Sequence, residues 1–229
     1  DERRADIILA GAVILEQVCT ELGVTSLLIS DYALREGILL DAVQRRRGAT
    51  LHHLHALRRR SVVRLAELMD DDLTHSAHVA QLALELFDET QPIHGLGDDA
   101  RELLEAGALL ANVGMFVSHD GHHKHSYYVI RNADHLSGFT AHEVELIALV
   151  ARYHRKSAPK PSHAEFSALL PRDQHLVSVL AGVLRVAIGL DRTHAQVVEH
   201  VRVVGVQPGG ELRVGTDGSN EITVEVTAR

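Results

Sequence analysis

The sequence predicts a mainly α-helical protein: a helical bundle over residues 48–194, preceded by an α/β fragment over residues 1–47 and followed by a small antiparallel β piece over residues 195–229. Three observations predict this order. Apolar residues recur three and four positions apart through the middle of the chain, β-branched residues alternate after Asp191, and a short apolar run at residues 26–29 follows one helical segment.

The first 47 residues combine one helix with one strand. Residues 5–22 carry apolar side chains at helical spacing, and residues 26–29 form a short β-like run. A single strand has no partner to pair with inside this segment, so we interpret it as the tail of a larger α/β domain.

The bundle begins after an arginine-rich boundary. Residues 45–64 contain seven arginines and no acidic residue, which we interpret as a linker and a solvated helix face, with a strip that binds polyanions as the alternative. Helical spacing then predicts five helices, over residues 73–87, 98–110, 126–130, 141–153 and 174–188. Beyond them, turn signals at residues 208–210 and 217–218 separate the β-branched runs of a small antiparallel sheet.

Composition narrows the classes of function. The chain has 23 Lys and Arg against 31 Asp and Glu, a net charge of −8, so it has no general attraction for nucleic acid or an anionic membrane. The single cysteine, Cys19, excludes an internal disulfide and a thiolate zinc site, and no apolar run approaches the ~20 residues of a membrane span. We therefore expect a soluble cytoplasmic protein whose 17 histidines are its unusual feature.

The densest group of chemically active side chains lies at residues 118–132. Lysine, arginine, serine and imidazole groups follow a glycine at a predicted helix start, where free backbone N–H groups add further donors for a tetrahedral anion. The pattern therefore favours a phosphate-binding site. Two alternatives remain open: a zinc site, with His122 and Ser126 or His119 and His123 one helical turn apart, and a solvent-exposed histidine-rich loop.

Two further groups have structural explanations. Residues 153–156, with the sequence Tyr-His-Arg-Lys, end an apolar helix, where cations favour the negative end of the helix dipole. Residues 190–194 close the last long helix, and Asp191 can simply terminate it. Neither group requires a function to explain it.

A histidine and aspartate pattern that is typical of metal-dependent phosphohydrolases is present in incomplete form. His75 and Asp191 occupy its outer positions, but Ala111 and Asn112 replace the central His-Asp pair. Alanine offers no ligand atom and asparagine no charge, so a divalent ion would lose an imidazole and a carboxylate from its coordination. We expect no metal at these positions and a hydrogen-bonded His75 at the start of a helix.

Several short segments carry a resemblance to a known family. The chain opens with RADII at residues 4–8 and has LREG at residues 34–37, and GHHKHSYYVIRN spans residues 121–132. It continues with SGF at residues 137–139 and HRK at residues 154–156. These segments resemble motifs of the exopolyphosphatase and guanosine pentaphosphate phosphohydrolase family, Ppx/GppA, and the resemblance covers the whole chain.

The resemblance implies a protein of four parts: two actin-like domains of the ribonuclease-H type, a helical HD-like domain and a small C-terminal domain. Residues 1–47 would be the C-terminal remnant of the second actin-like domain, residues 48–194 the HD-like domain and residues 195–229 the small β-rich domain. The family's catalytic glutamate and phosphate-binding loops belong to the missing N-terminal part. We therefore expect Mg²⁺ in the full-length enzyme, no metal held tightly by this chain, no activity from this chain alone, and a homodimer.

The resemblance assigns substrate capture to this part of the protein, with inorganic polyphosphate or a guanosine penta- or tetraphosphate as the substrate. The phosphate-binding residues that it implies are His123, Lys124, His125 and Ser126 first, then Arg131, His154 and Arg155, with Arg4 and Arg35 near the actin-like cleft. Protonation of these imidazoles would tighten binding at pH 6 relative to pH 8. A free-standing HD-type metal phosphohydrolase and a non-catalytic regulatory or dimerisation module are the alternatives.

Overall fold

The computed structural model describes residues 2–24, 52–133, 136–204 and 223–228. The chain divides into two compact units, Asp1–Gly48 and Ala49–Arg229. In the first unit, the helix predicted at residues 5–22 is α1 (Glu2–Leu22). The strand predicted at residues 26–29 lies outside the described residues.

The second unit is a helical bundle, as the apolar spacing predicts. Its described part contains α2 (His52–Met69), α3 (Leu73–His94), α4 (Asp98–Leu109), a 3₁₀ turn (Val113–Phe116), α5 (His122–Arg131), α6 (Ala141–Arg152), α7 (Ala164–Ser167) and α8 (Pro171–Leu190). All five predicted helices are present, and α2 is the helix that begins in the arginine-rich run.

Local chemistry sets the ends of two helices that position the site. The side chain of Asp72 accepts a hydrogen bond from the His75 N–H at 3.0 Å and begins α3, whereas Gly95 ends α3 in left-handed backbone with a φ of 63°. A reciprocal capping box between Thr140 and Glu143 begins α6. These signals fix the helix that carries His75 and the helix that leads into residues 153–156.

The core centres on α6, which lies against α4, α5 and α8. Residues 147–151 of α6 are all buried, the pattern of a helix that is surrounded on every side. Gly107 of α4 permits close contact between the helices, because a Cβ there would lie 2.8 Å from Val150 Cγ1. The residues that follow α6 therefore emerge from the middle of the bundle.

One described helix, α8, has the length and apolar composition of a membrane span. Its apolar residues Val177, Leu180 and Leu184 are fully buried against the rest of the bundle. Of its apolar window, 39% is buried inside the fold.

Part of the arginine-rich run is used inside the fold. Arg58 donates to Glu102 at 2.7 Å and to Glu143 at 3.0 Å, and only 12% of its side chain is exposed. Arg59 pairs with Glu105 at 2.9 Å. The interpretation of this run as a solvated face is therefore wrong at Arg58. Because Arg58 and Arg59 both pair with glutamates, neither has a free charge for the alternative, a strip that binds polyanions.

Two strands follow the bundle. β1 (Val198–Val204) pairs antiparallel with β2 (Thr223–Ala228), with Val201 opposite Val226. Glu85 ties β1 to α3, because its carboxylate accepts from the Val201 N–H at 2.9 Å. The turn signals at residues 208–210 and 217–218 lie outside the described residues.

Candidate functional site

The chain between α4 and α5 folds back to fix the start of α5. The Ser126 hydroxyl donates to the Ala111 carbonyl at 2.7 Å and accepts from the Gly114 N–H at 2.9 Å. Gly114 is required there, because a Cβ would lie 2.2 Å from the His122 carbonyl oxygen and 2.3 Å from the Ser126 nitrogen. These contacts hold the first turn of α5 against the end of α4.

The same contacts decide the role of Ser126. Its side chain is fully buried, and its hydroxyl both donates and accepts within the fold. A ligand has no access to it, so the structure replaces the expected phosphate contact with a structural role. The zinc alternative that paired His122 with Ser126 is excluded for the same reason.

The first turn of α5 offers donors to an anion. Gly121 precedes the helix in left-handed backbone with a φ of 69°, and no side chain caps the helix. The Lys124 and His125 N–H groups bond to the Gly121 carbonyl oxygen, which leaves the N–H groups of His122 and His123 for a ligand. Lys124 is exposed on the same turn and His125 is partly buried, and neither side chain bonds to another described residue.

The second motif reaches this point from the end of α6. The chain reverses through residues 153–156, where Lys156 takes a left-handed conformation with a φ of 64°. This turn brings His154 Nε2 to 3.2 Å from His122 Nε2, and Arg155 Nη1 to 3.4 Å from His122 Nδ1. Two segments that lie 32 residues apart in the sequence thereby form one site.

Three imidazoles form the buried part of this site: His122, His123 and His154, which we call the histidine cluster. Their exposed fractions are 2%, 8% and 6%. Burial lowers the pKa of all three, to about 4 for His123 and for His154, and the charge of Arg155 lowers each pKa further. The cluster is therefore uncharged at neutral pH and contributes hydrogen-bonding groups rather than positive charge.

The charge of the site is carried by Lys124 and Arg155, which we call the basic rim. Both residues are exposed, and neither pairs with a described carboxylate. The positive charge of each lowers the pKa of His123, as does that of Arg152. Arg155 Nη1 lies 3.4 Å from Nδ1 of the adjacent His122. Arg131 differs, because it lies at the far end of α5 and its guanidinium pairs with Glu145.

The incomplete histidine and aspartate pattern forms a structural pair. His75 Nδ1 lies 2.8 Å from Asp191 Oδ2, and both side chains are buried. The other carboxylate oxygen of Asp191 accepts from the Gln196 N–H at 2.8 Å. His75 is thus the hydrogen-bonded histidine at a helix start that the sequence predicts, and Ala111 and Asn112 lie buried in the turn after α4.

This pair does not fit a magnesium ion. Mg²⁺ takes several oxygen ligands, and here a single carboxylate has both oxygens engaged. Within the described ranges, no group of three or more His, Cys, Asp or Glu side chains has the arrangement of a metal site. The pair instead helps to position His194. The His194 ring stacks on the His75 ring at 3.6 Å between centroids, and its Nδ1 lies 2.8 Å from Asp72 Oδ2.

The sequence did not indicate that His122 and His194 join segments that are distant in the chain. The spacing gave no reason to prefer His122 over its neighbours, and nothing in the sequence placed His194 on the ring of His75. Of the two arginines expected near the actin-like cleft, Arg4 falls within α1, and Arg35 lies outside the described residues.

Two regions of the chain match known family profiles. Residues 57–217 match the profile described as Ppx/GppA phosphatase, domain III, and residues 1–46 match that of the Ppx/GppA phosphatase family.

Two curated relatives are named guanosine-5'-triphosphate,3'-diphosphate pyrophosphatase. The protein from Pseudoalteromonas translucida is 28% identical over 182 residues, which cover 78% of this chain and 35% of the relative. The protein from Photobacterium profundum is 28% identical over 166 residues, which cover 72% of this chain and 32% of the relative. The chain thus spans about a third of the length of these relatives.

Proposed function

Because the chain belongs to the Ppx/GppA phosphatase family, we propose that it is the C-terminal, substrate-binding and dimerising part of a phosphohydrolase that releases terminal phosphate from inorganic polyphosphate or guanosine polyphosphates. Both substrates present phosphates joined by anhydride bonds. The names of the two curated relatives support the guanosine polyphosphates. In this proposal the catalytic groups lie in the part of those relatives that this chain does not cover. A homodimer and a cytoplasmic location belong to the same proposal.

The observation that carries the proposal is the basic rim at the start of α5. Lys124 and Arg155 come from two separate motifs, and the fold places Arg155 Nη1 3.4 Å from Nδ1 of His122, two residues before Lys124. Several arginines of the bundle are neutralised, as Arg58 and Arg131 are by glutamates. Two exposed cations without a described carboxylate partner, beside an uncapped helix N-terminus, are the donors that a phosphate chain requires.

Each group of the site has a distinct part in holding phosphate. The Lys124 ammonium attracts the chain as a point charge, whereas the planar Arg155 guanidinium can donate two parallel hydrogen bonds to one phosphate. The amide groups of the first turn of α5 add uncharged donors along the helix dipole. Because the histidine cluster is neutral, the two rim cations supply the salt-dependent share of the binding energy.

Mg²⁺ enters this proposal as a cofactor of the full-length enzyme. The basic rim and the histidine cluster offer positive charge and nitrogen atoms, whereas Mg²⁺ requires oxygen ligands. We therefore assign Mg²⁺ to the part of the enzyme outside this chain, where it would neutralise charge on the substrate phosphates.

Replacing Lys124 or Arg155 by alanine is expected to weaken binding of long-chain polyphosphate and of guanosine pentaphosphate about five-fold or more at low salt. Each substitution removes one phosphate contact, so the slope of log affinity against log salt should fall by about one. The melting temperature should change little, because both side chains are exposed and neither pairs with a described carboxylate. Filter binding over a range of salt concentrations measures both effects.

Arg64→Ala is the matched control for the rim variants. Arg64 is an exposed cation on α2, so its loss changes the net charge by the same amount without touching the site. Unchanged affinity and salt slope in both rim variants would overturn the proposal. Phosphate release by this chain alone that depends on Mg²⁺ or Mn²⁺ and stops with a chelator would instead support the free-standing metal phosphohydrolase.

Burial of the histidine cluster also limits the pH dependence of binding. With a pKa of about 4, His123 and His154 stay neutral at both pH 6 and pH 8, so we expect no tightening of binding at pH 6 from their protonation. We expect His123→Gln to leave the ratio of the affinities at pH 6 and pH 8 at its wild-type value. A clear change of this ratio in a polyphosphate titration would show that the His123 imidazole becomes charged at pH 6.

A further inference from the structure

Two buried imidazoles connect Arg155 to the backbone of α6. His154 Nδ1 lies 2.5 Å from the Ala151 carbonyl oxygen, and His154 Nε2 lies 3.2 Å from His122 Nε2. His122 Nδ1 lies 3.4 Å from Arg155 Nη1. Both histidines are more than nine-tenths buried. The contacts therefore form a continuous chain from a carbonyl of α6 to a cation of the basic rim.

The end of this chain at α6 fixes the tautomer of both rings. A carbonyl oxygen only accepts hydrogen bonds, so His154 Nδ1 carries the proton and His154 Nε2 presents a lone pair. His122 Nε2 then carries a proton and donates to that lone pair. The opposite tautomer of His122 would point two buried lone pairs at each other, which is unfavourable.

The tautomer of His122 decides which neighbour its Nδ1 bonds to. With the proton on Nε2, the Nδ1 atom of this neutral ring is an acceptor. The His119 carbonyl oxygen lies 3.1 Å from Nδ1, but an oxygen that only accepts makes no hydrogen bond to an acceptor. A guanidinium only donates, so Arg155 is the partner of this lone pair.

The backbone on both sides of Arg155 is also held in place. Lys156 follows it in left-handed backbone, and the Lys156 carbonyl accepts from Arg185 Nη2 of α8 at 3.0 Å. The freedom that remains to Arg155 is therefore rotation of its exposed side chain. Within the described part of the chain, the contact with His122 is the one hydrogen bond that the Arg155 guanidinium makes.

We infer that His122 is a positioning residue for Arg155, an inference that rests on the phosphate-binding role proposed for the basic rim. The contact with His122 engages Nη1 and leaves the edge formed by Nε and Nη2, which can donate two parallel hydrogen bonds to one phosphate. A side chain that is held before the ligand arrives loses less freedom on binding. The buried imidazole of His122 thus acts through Arg155.

A double-mutant cycle on the full chain tests the inference, with long-chain polyphosphate as the probe. His122→Phe keeps a ring and removes both nitrogens, and it should weaken binding about three-fold or more. In an Arg155→Ala background the same substitution should change the affinity by less than about two-fold, because no guanidinium is left to position. Filter binding at one low salt concentration measures the four affinities. Equal losses in the two backgrounds would assign a general structural role to His122 and overturn the inference.

His122→Asn is the matched control for His122→Phe. The asparagine side-chain oxygen takes the place of Nδ1 as an acceptor for Arg155, so this variant should keep most of the wild-type affinity for polyphosphate. An affinity as low as that of His122→Phe would show that the acceptor does not matter, and would overturn the inference.

Long-range proton–nitrogen NMR of the wild-type chain tests the same contacts without a ligand and covers variants that fail to fold. His122 should carry its proton on Nε2, and His154 should carry its proton on Nδ1. A proton on His122 Nδ1 would overturn the inference. If these tautomers are found but Arg155→Ala binds polyphosphate as tightly as the wild type, the proposed function fails, whereas the positioning of Arg155 by His122 is supported.

Discussion

Gly114→Ala is expected to lower the free energy of unfolding of the helical unit by about 3 kcal/mol. The new Cβ would lie 2.2 Å from the His122 carbonyl oxygen and 2.3 Å from the Ser126 nitrogen. Both are backbone atoms, so neither can move without displacing the first turn of α5. For a unit of this size, such a loss lowers the melting temperature by roughly 6–12 °C, which thermal unfolding followed by circular dichroism measures.

Gly182→Ala is the matched control for this prediction. Gly182 lies inside α8, and a Cβ at this position would meet no atom within 4 Å. Alanine at an open helical position should stabilise the protein by about 0.5–1 kcal/mol. Opposite effects at the two glycines would identify steric overlap as the cause. A Gly114→Ala variant that melts at the wild-type temperature would show that the turn does not approach α5 this closely.

The helices could be predicted because apolar spacing records which face of a helix is buried. Spacing ended α3 at Phe87, whereas the helix continues to His94. The added length carries polar residues on its buried side: Thr90 donates to the Leu86 carbonyl at 2.6 Å, and His94 Nε2 lies 3.0 Å from the Phe87 carbonyl oxygen. Polar side chains that are satisfied by their own helix leave no apolar pattern to detect.

The sequence could predict which segments form the candidate site, but not which of their side chains are exposed or in contact. The motif at residues 121–132 indicated phosphate binding by its residues and that at residues 154–156 only through the family resemblance, and the fold brings them together at His122 and His154. Which member of each motif faces solvent depends on the rotation of α5 and the path of the turn after α6. Ser126 is therefore in the core while Lys124 is exposed, although both are polar residues of one motif.

Asp191→Ala is expected to lower the free energy of unfolding by about 3–5 kcal/mol, because it removes one member of a buried pair. The substitution leaves the His75 Nδ1 and the Gln196 N–H without their acceptors. It also releases the segment after α8, in which His194 and Gln196 hold left-handed backbone with φ angles of 57° and 49°. Urea unfolding at neutral pH measures the loss.

An exposed pair at the same distance is the control for Asp191→Ala. Arg101 and Asp88 also lie 2.8 Å apart, but their side chains are 39% and 52% exposed, whereas those of His75 and Asp191 are 3% and 1% exposed. Asp88→Ala should therefore cost less than about 1 kcal/mol, since water and salt screen an exposed pair. Equal costs for the two variants would contradict the burial of Asp191. Because the two distances agree, a large difference assigns the stabilisation to the buried surroundings of Asp191, which include its contacts with His75 and with the Gln196 N–H.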